Sequence, residues 1–77
     1  MPRLGPMSSR KILKILREHG FEKDRQSGSH IVMQKRIRDE FGRMTTITVV
    51  VPDETEVPVG TLRTIIRHSG LDRSYFE

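Results

Sequence analysis

The chain has 77 residues, with 14 Lys and Arg against 10 Asp and Glu, a net charge of +4 and no cysteine. That length allows one domain with a small core, in which folding hides roughly 60–65% of the surface the unfolded chain exposes, so any chemistry is expected on an open face rather than in an enclosed cavity. The lack of thiols excludes disulfides and thiolate–zinc sites; no apolar run approaches the ~20 residues of a membrane span and MPRLGPM has no signal-type apolar region, so a cytoplasmic protein is expected.

The charge is unevenly spread. Residues 1–44 hold eleven basic and five acidic side chains, whereas residues 45–77 hold three and five. A basic N-terminal part suits an anionic partner, nucleic acid first, although +4 on a domain of this size is also what an ordinary soluble surface carries.

Residues 1–8 contain two prolines and a glycine without any period and read as a disordered lead, which places a single domain over 9–77. Ser8 or Ser9 offers an N-cap, and Ile12, Leu13, Ile15 and Leu16 form one helical stripe over about residues 9–19. His19-Gly20-Phe21 ends that helix, with glycine free to turn left-handed and phenylalanine to pack back. Arg10 and Lys11 stand in the first turn, where positive charge opposes the helix dipole; the plain reading is two solvated side chains, the other is an anion contact.

Three strands are predicted next, over 21–26, 29–35 and 45–51, with a turn at Ser27-Gly28 and a long charged loop over 36–44. The third is the clearest, because Ile47, Val49 and Val51 alternate with Thr46, Thr48 and Val50. In the second, Ile31 and Met33 are expected to face inward, leaving His30 accessible. PDETEVP over 52–58 reads as an acidic loop with Asp53, Glu54 and Glu56 solvated. A second helix over about 60–69 carries Leu62, Ile65 and Ile66, and Gly70-Leu71 repeats the ending of the first. Asp72 caps a last half-turn over 73–77. The predicted class is α+β, in the order α-β-β-β-α, with an antiparallel three-stranded sheet and both helices on one face.

Of three histidines, His19 and His68 lie in the last turns of the two helices, where histidine suits the local carbonyls and dipole. A three-histidine metal site has no spacing to recommend it, so no metal is expected. His30 differs. It follows Gly28 and Ser29, small residues that let a ligand approach, and Lys23, Arg25, Lys35 and Arg36 are near in sequence. An imidazole among cations gives up its proton more readily, and RNA supplies its own 2′-OH nucleophile, so such a group could cleave RNA without metal. The pattern by itself favours simple phosphate binding. No GxxxxGK[ST] loop, HExxH pair or purposeful carboxylate pair is present.

Taken together, three pieces give the chain a resemblance to a known family. They are the first helix ending in His19-Gly20-Phe21 with Arg25-Gln26 beyond it; Gly28-Ser29-His30; and Val49-Val50-Val51-Pro52 followed by Pro58-Val59-Gly60-Thr61-Leu62-Arg63 and Ser69-Gly70-Leu71. In order and spacing, from about Ser9 to Phe76, they resemble the HicA family of toxins, mRNA interferases of bacterial toxin–antitoxin pairs. The resemblance implies a fold like the double-stranded-RNA-binding domain and RNA cleavage without metal or cofactor. It also implies a HicB-type antitoxin that silences the toxin, and leaves both a homodimer and a toxin–antitoxin hetero-oligomer open. It makes His30 the general acid/base, presented by a turn of Gly28 and Ser29. Arg10, Lys11, Lys23, Arg25 and Lys35 are candidate RNA contacts on their charge alone. One departure is notable: many relatives carry a second histidine where this chain has Asp53. The alternatives are a non-catalytic RNA-binding module of the same fold and an interaction protein whose basic face meets an acidic partner.

Overall fold

The computed structural model describes residues 3–77. Helix α1 (Ser9–Glu18) forms where the apolar stripe lies, and it buries Ile12, Ile15 and Leu16. Ser8 is its N-cap: the Ser8 hydroxyl accepts from the Lys11 N–H at 3.2 Å. At the other end the Gly20 N–H donates to the Arg17 carbonyl and the Phe21 N–H to the Leu16 carbonyl, at 3.1 and 3.0 Å. Gly20 stands at φ +94°, so this is the Schellman closure that a glycine makes possible, and Phe21 is carried into the core at 1% exposure.

The sheet follows. Strands β1 (Glu22–Ser27), β2 (His30–Arg38) and β3 (Met44–Pro52) are antiparallel and lie in the order β1-β2-β3, so β2 is central. Paired residues share a face. Ile31 with Val51 and Met33 with Val49 point to the helices, as expected for β2. His30 with Pro52, Val32 with Val50 and Gln34 with Thr48 lie on the opposite, uncovered face. Val32 is buried there too, although it is not part of the helix-side core.

The register of β1 shifts between Lys23 and Arg25, which makes a β-bulge at Asp24. Lys23 pairs with Met33 on the helix side, yet Arg25 pairs with Val32 on the open side. Two residues of equal parity therefore face opposite ways.

The loop expected over 36–44 is shorter. Arg36, Ile37 and Arg38 continue β2 and Met44 already belongs to β3, which leaves 39–43 as the connection. Charge made 36–38 look like loop, but Ile37 between two arginines is strand alternation. Asp39 builds the turn: its Oδ1 accepts from the N–H groups of Phe41 and Arg43 at 2.9 and 2.8 Å, and its own N–H donates to the Arg43 carbonyl at 2.7 Å.

Helix α2 (Val59–Ser69) starts after Pro58 and buries Leu62, Ile65 and Ile66. Gly70 is left-handed at φ +72°, but this ending is not a copy of the first. The Leu71 N–H donates to the Ser69 hydroxyl at 3.1 Å, and that hydroxyl donates to the Ile66 carbonyl at 2.7 Å. A 3-10 turn (Arg73–Phe76) closes the chain, capped by Asp72 and anchored by buried Phe76.

Both helices lie on one face of the sheet, and the core between them joins Ile12 and Leu16, Met33 and Val49, and Leu62 and Ile65. Each such side chain contributes about 1.5–3 kcal/mol by burial. The expected lead is docked at its C-terminal end. The Met7 N–H donates to the Val57 carbonyl and the Val57 N–H to that of Met7, at 3.2 and 2.7 Å, while Leu4 and Met7 pack on the core. Met1 and Pro2 of that lead lie outside the described residues. Val57, inside the acidic loop, is fully buried.

Candidate active site at the turn end of the sheet

Ser27 pairs with His30, so β1 and β2 are joined by Gly28 and Ser29 alone. Gly28 has φ +57° and no non-glycine residue among the described ones has positive φ, which is the pattern of a type II′ turn with glycine first. A Cβ on Gly28 would meet nothing within 4 Å, so the constraint is backbone conformation and not space. This turn places His30 at the first position of the central strand, exposed and on the open face.

Groups distant in sequence hold the turn. The Asp53 N–H donates to the Ser29 carbonyl at 2.7 Å. Gln26 Nε2 donates to the Gly28 carbonyl at 3.1 Å and to Asp53 Oδ2 at 3.4 Å, and the Ser9 hydroxyl reaches Asp53 Oδ1 at 3.5 Å. Lys23 Nζ donates to Gln26 Oε1 at 3.3 Å. The start of α1, the β1–β2 turn and the exit of β3 thus meet at one end of the sheet. Asp53 serves the turn here, with its carboxylate directed to Ser9 and Gln26.

The predicted contacts separate on this framework. Arg25 is on the His30 face, two pairs further along the β1–β2 ladder, where its guanidinium is paired with Asp24. Arg10 lines an open depression with Ser9 and Asp53 at the same end, and Lys11 follows it along α1. Lys23 reaches Gln26 but stands on the helix-side register. Lys35 is not brought to His30. It lies five residues along β2, about 17 Å away, on the opposite face, with its Nζ 5.8 Å from the centroid of the Phe21 ring and its stem against Gly20.

Sequence reasoning missed Gln26 as a brace for the turn, and no local signal gives it, because its partner Asp53 is 27 residues away. It also missed Arg38 and passed over Arg36 as a contact. Both share the His30 face, and the even-number parity of a strand continued through 38 would have found them.

His19 and His68 stand apart from this site. His19 Nδ1 donates to the Ile15 carbonyl at 2.8 Å and its ring packs on Tyr75, while His68 is exposed in the last turn of α2. Among the described residues no group of three or more His, Cys, Asp or Glu side chains is placed to hold a metal ion, and no helix is long and apolar enough to cross a membrane.

The model of the HicA toxin of bacterial toxin–antitoxin systems matches residues 9–71. The chain belongs to the HicA toxin family. No curated protein matches it. The HicA match takes in α1, the whole sheet, the Gly28-Ser29-His30 turn and α2, and it stops before the 3-10 turn. A toxin of this kind has an antitoxin partner. The α-β-β-β-α order expected of a HicA chain is the order observed.

Proposed function

We propose that this HicA chain is a metal-independent endoribonuclease that cleaves mRNA in the cytoplasm, with His30 as its single general acid/base. In this reading the domain spans 9–77 and a HicB-type antitoxin neutralises it. The observation that carries the reading is an exposed imidazole at the start of the central strand, on the face no helix covers. A long polyanion can lie across such a face, which a closed cavity would not permit.

The chemistry needs one group that moves a proton twice. His30 accepts the proton of the ribose 2′-OH as that oxygen attacks the adjacent phosphorus. The imidazolium then gives the proton to the departing 5′-oxygen, leaving a 2′,3′-cyclic phosphate and a 5′-hydroxyl. Arg25, on the same face, supports the charge on the phosphorane once its guanidinium leaves Asp24 for the phosphate. Arg36 and Arg38 extend the positive surface along the strand.

The test is expression without the antitoxin, beside a His30→Ala version, together with cleavage of RNA by both purified proteins in the presence of a chelator. The parent is expected to arrest growth and cut RNA, and His30→Ala to be slower by about 10²–10⁴-fold. A parent that does neither sinks the nuclease reading, and equal activity of the two removes His30 from the mechanism. RNA binding that survives the substitution and falls steeply with salt, without cleavage by the parent, would instead mark a binding module.

A further inference from the structure

The exposed side of α1 carries Arg10, Lys11 and Lys14 in one stripe, since residues three and four apart share a helical face. Together with Tyr75 of the 3-10 turn they line an open groove of about 430 Å3, whose one acidic wall residue is Glu18. Among the described residues the ion pairs engage Arg25, Arg43 and Arg73, and none engages Arg10, Lys11 or Lys14. The three charges are therefore free for an external anion.

Tyr75 is unusual in its setting. It is 52% exposed, yet its ring is in contact with a neighbour. One side of its ring meets His19, with centroids 4.2 Å apart at a 53° tilt, and His19 is itself tied to the Ile15 carbonyl. The turn beneath it is fixed by buried Phe76, by the Asp72 cap and by the Arg73–Glu77 pair at 2.8 Å. The result is a pre-set aromatic surface with its exposed part toward a cationic trough. An aromatic plate beside a row of positive charges is how single-stranded nucleic acid is held without sequence preference, by a stacked base and neutralised phosphates. Arg10 also lines the depression beside Asp53, so the trough leads toward the end of the sheet that carries His30.

We propose that the groove between α1 and the C-terminal 3-10 turn is a track for single-stranded RNA, in which a base stacks on Tyr75 and neighbouring phosphates are held by Arg10, Lys11 and Lys14. This rests on the reading of the chain as an RNA-cleaving toxin and adds to it how substrate is gripped away from the scissile bond. Arg10, Lys11 and Lys14 lie within the residues matched to the family, and Tyr75 lies beyond them.

The test uses a short, labelled, single-stranded oligoribonucleotide of mixed sequence and the full chain carrying His30→Ala, so that the RNA stays intact. Tyr75→Ala on that background is expected to weaken binding roughly 5- to 150-fold, while Tyr75→Trp retains it. Lys14→Gln is expected to lower the slope of log affinity against log salt by about 0.7. Tyr75 is the sole tyrosine and there is no tryptophan, so its fluorescence in the otherwise unaltered site reports the contact directly and should be quenched by RNA. RNA that binds Tyr75→Ala as tightly and leaves the tyrosine signal unmoved overturns the track but spares the nuclease reading. If neither parent nor His30→Ala protein binds or cleaves RNA, the nuclease reading itself is lost and the track with it. If Tyr75→Ala keeps RNA but loses the antitoxin, the groove belongs to the antitoxin and the proposal is wrong.

Discussion

The two hairpins of the sheet are built on opposite plans. The β2–β3 connection is held by its own residues: Asp39 accepts from Phe41 and Arg43, and Arg38 donates to the Gly42 carbonyl. The β1–β2 turn has only two residues and, besides Gln26 of its own strand β1, is held from outside the hairpin by Asp53 after β3 and, through Asp53, by Ser9 of α1. A self-contained turn can be altered with little effect beyond it. A turn braced by three elements is fixed relative to the body of the molecule, and it is the braced turn that presents His30. The difference suggests where positional accuracy matters in this protein and where only chain reversal does.

The largest effect that would test this contrast is on catalysis. Gln26→Ala removes the donor to both Gly28 and Asp53, and a shift of about 1 Å at a reacting group can cost about 10²-fold, so kcat for RNA cleavage should drop by roughly 10- to 100-fold with the thermal midpoint little changed. Asp39→Ala should do the reverse. It removes two hydrogen bonds and an ion pair and should destabilise the fold by about 1–2 kcal/mol in denaturant titration, with cleavage per folded molecule unaltered. Comparable losses of kcat in both variants would erase the contrast. Gly42→Ala, at φ +80°, should destabilise by about 1 kcal/mol, again without a catalytic change.

The smallest effect is a response to acid. The Ser74 N–H and, after it, the Ser74 side chain donate to Asp72 and hold its carboxyl below its ordinary value of 3.8. A pKa depressed in the folded state stabilises above the unfolded value and stops doing so as pH falls through the folded one. The 3-10 turn should therefore loosen below the ordinary carboxylate range, seen as a step in Tyr75 fluorescence that Asp72→Ala abolishes.

Much of this architecture is legible in the chain. The apolar stripes of both helices and the alternation of β3 give the element order, and Phe21 after Gly20 gives the first helix ending. Length fails where charge masks pattern, as at Arg36 and Arg38, whose parity with His30 shows only if β2 is carried past Lys35. Facing fails where the backbone departs from strict alternation, as between Lys23 and Arg25. The candidate site is legible as a histidine beside a turn, and the role proposed for it is what the resemblance implies. The brace is not legible, because Gln26 and Asp53 become neighbours only through the pairing of β2 with both flanking strands.

The surplus residue at Asp24 has a consequence for what one short strand can do. Phe21 and Arg25 are four positions apart, and in an unbroken zigzag both would aim the same way. Either the aromatic would meet water, forfeiting about 1.5–3 kcal/mol of burial, or the guanidinium would be driven among apolar side chains. The bulge resets the phase between them. It lets a single six-residue segment begin next to an anchor in the interior and finish as part of an outward electrostatic surface. Removing Asp24 would keep both orientations and merely straighten the strand, whereas adding a residue between Arg25 and Ser27 would move one end out of step with the other.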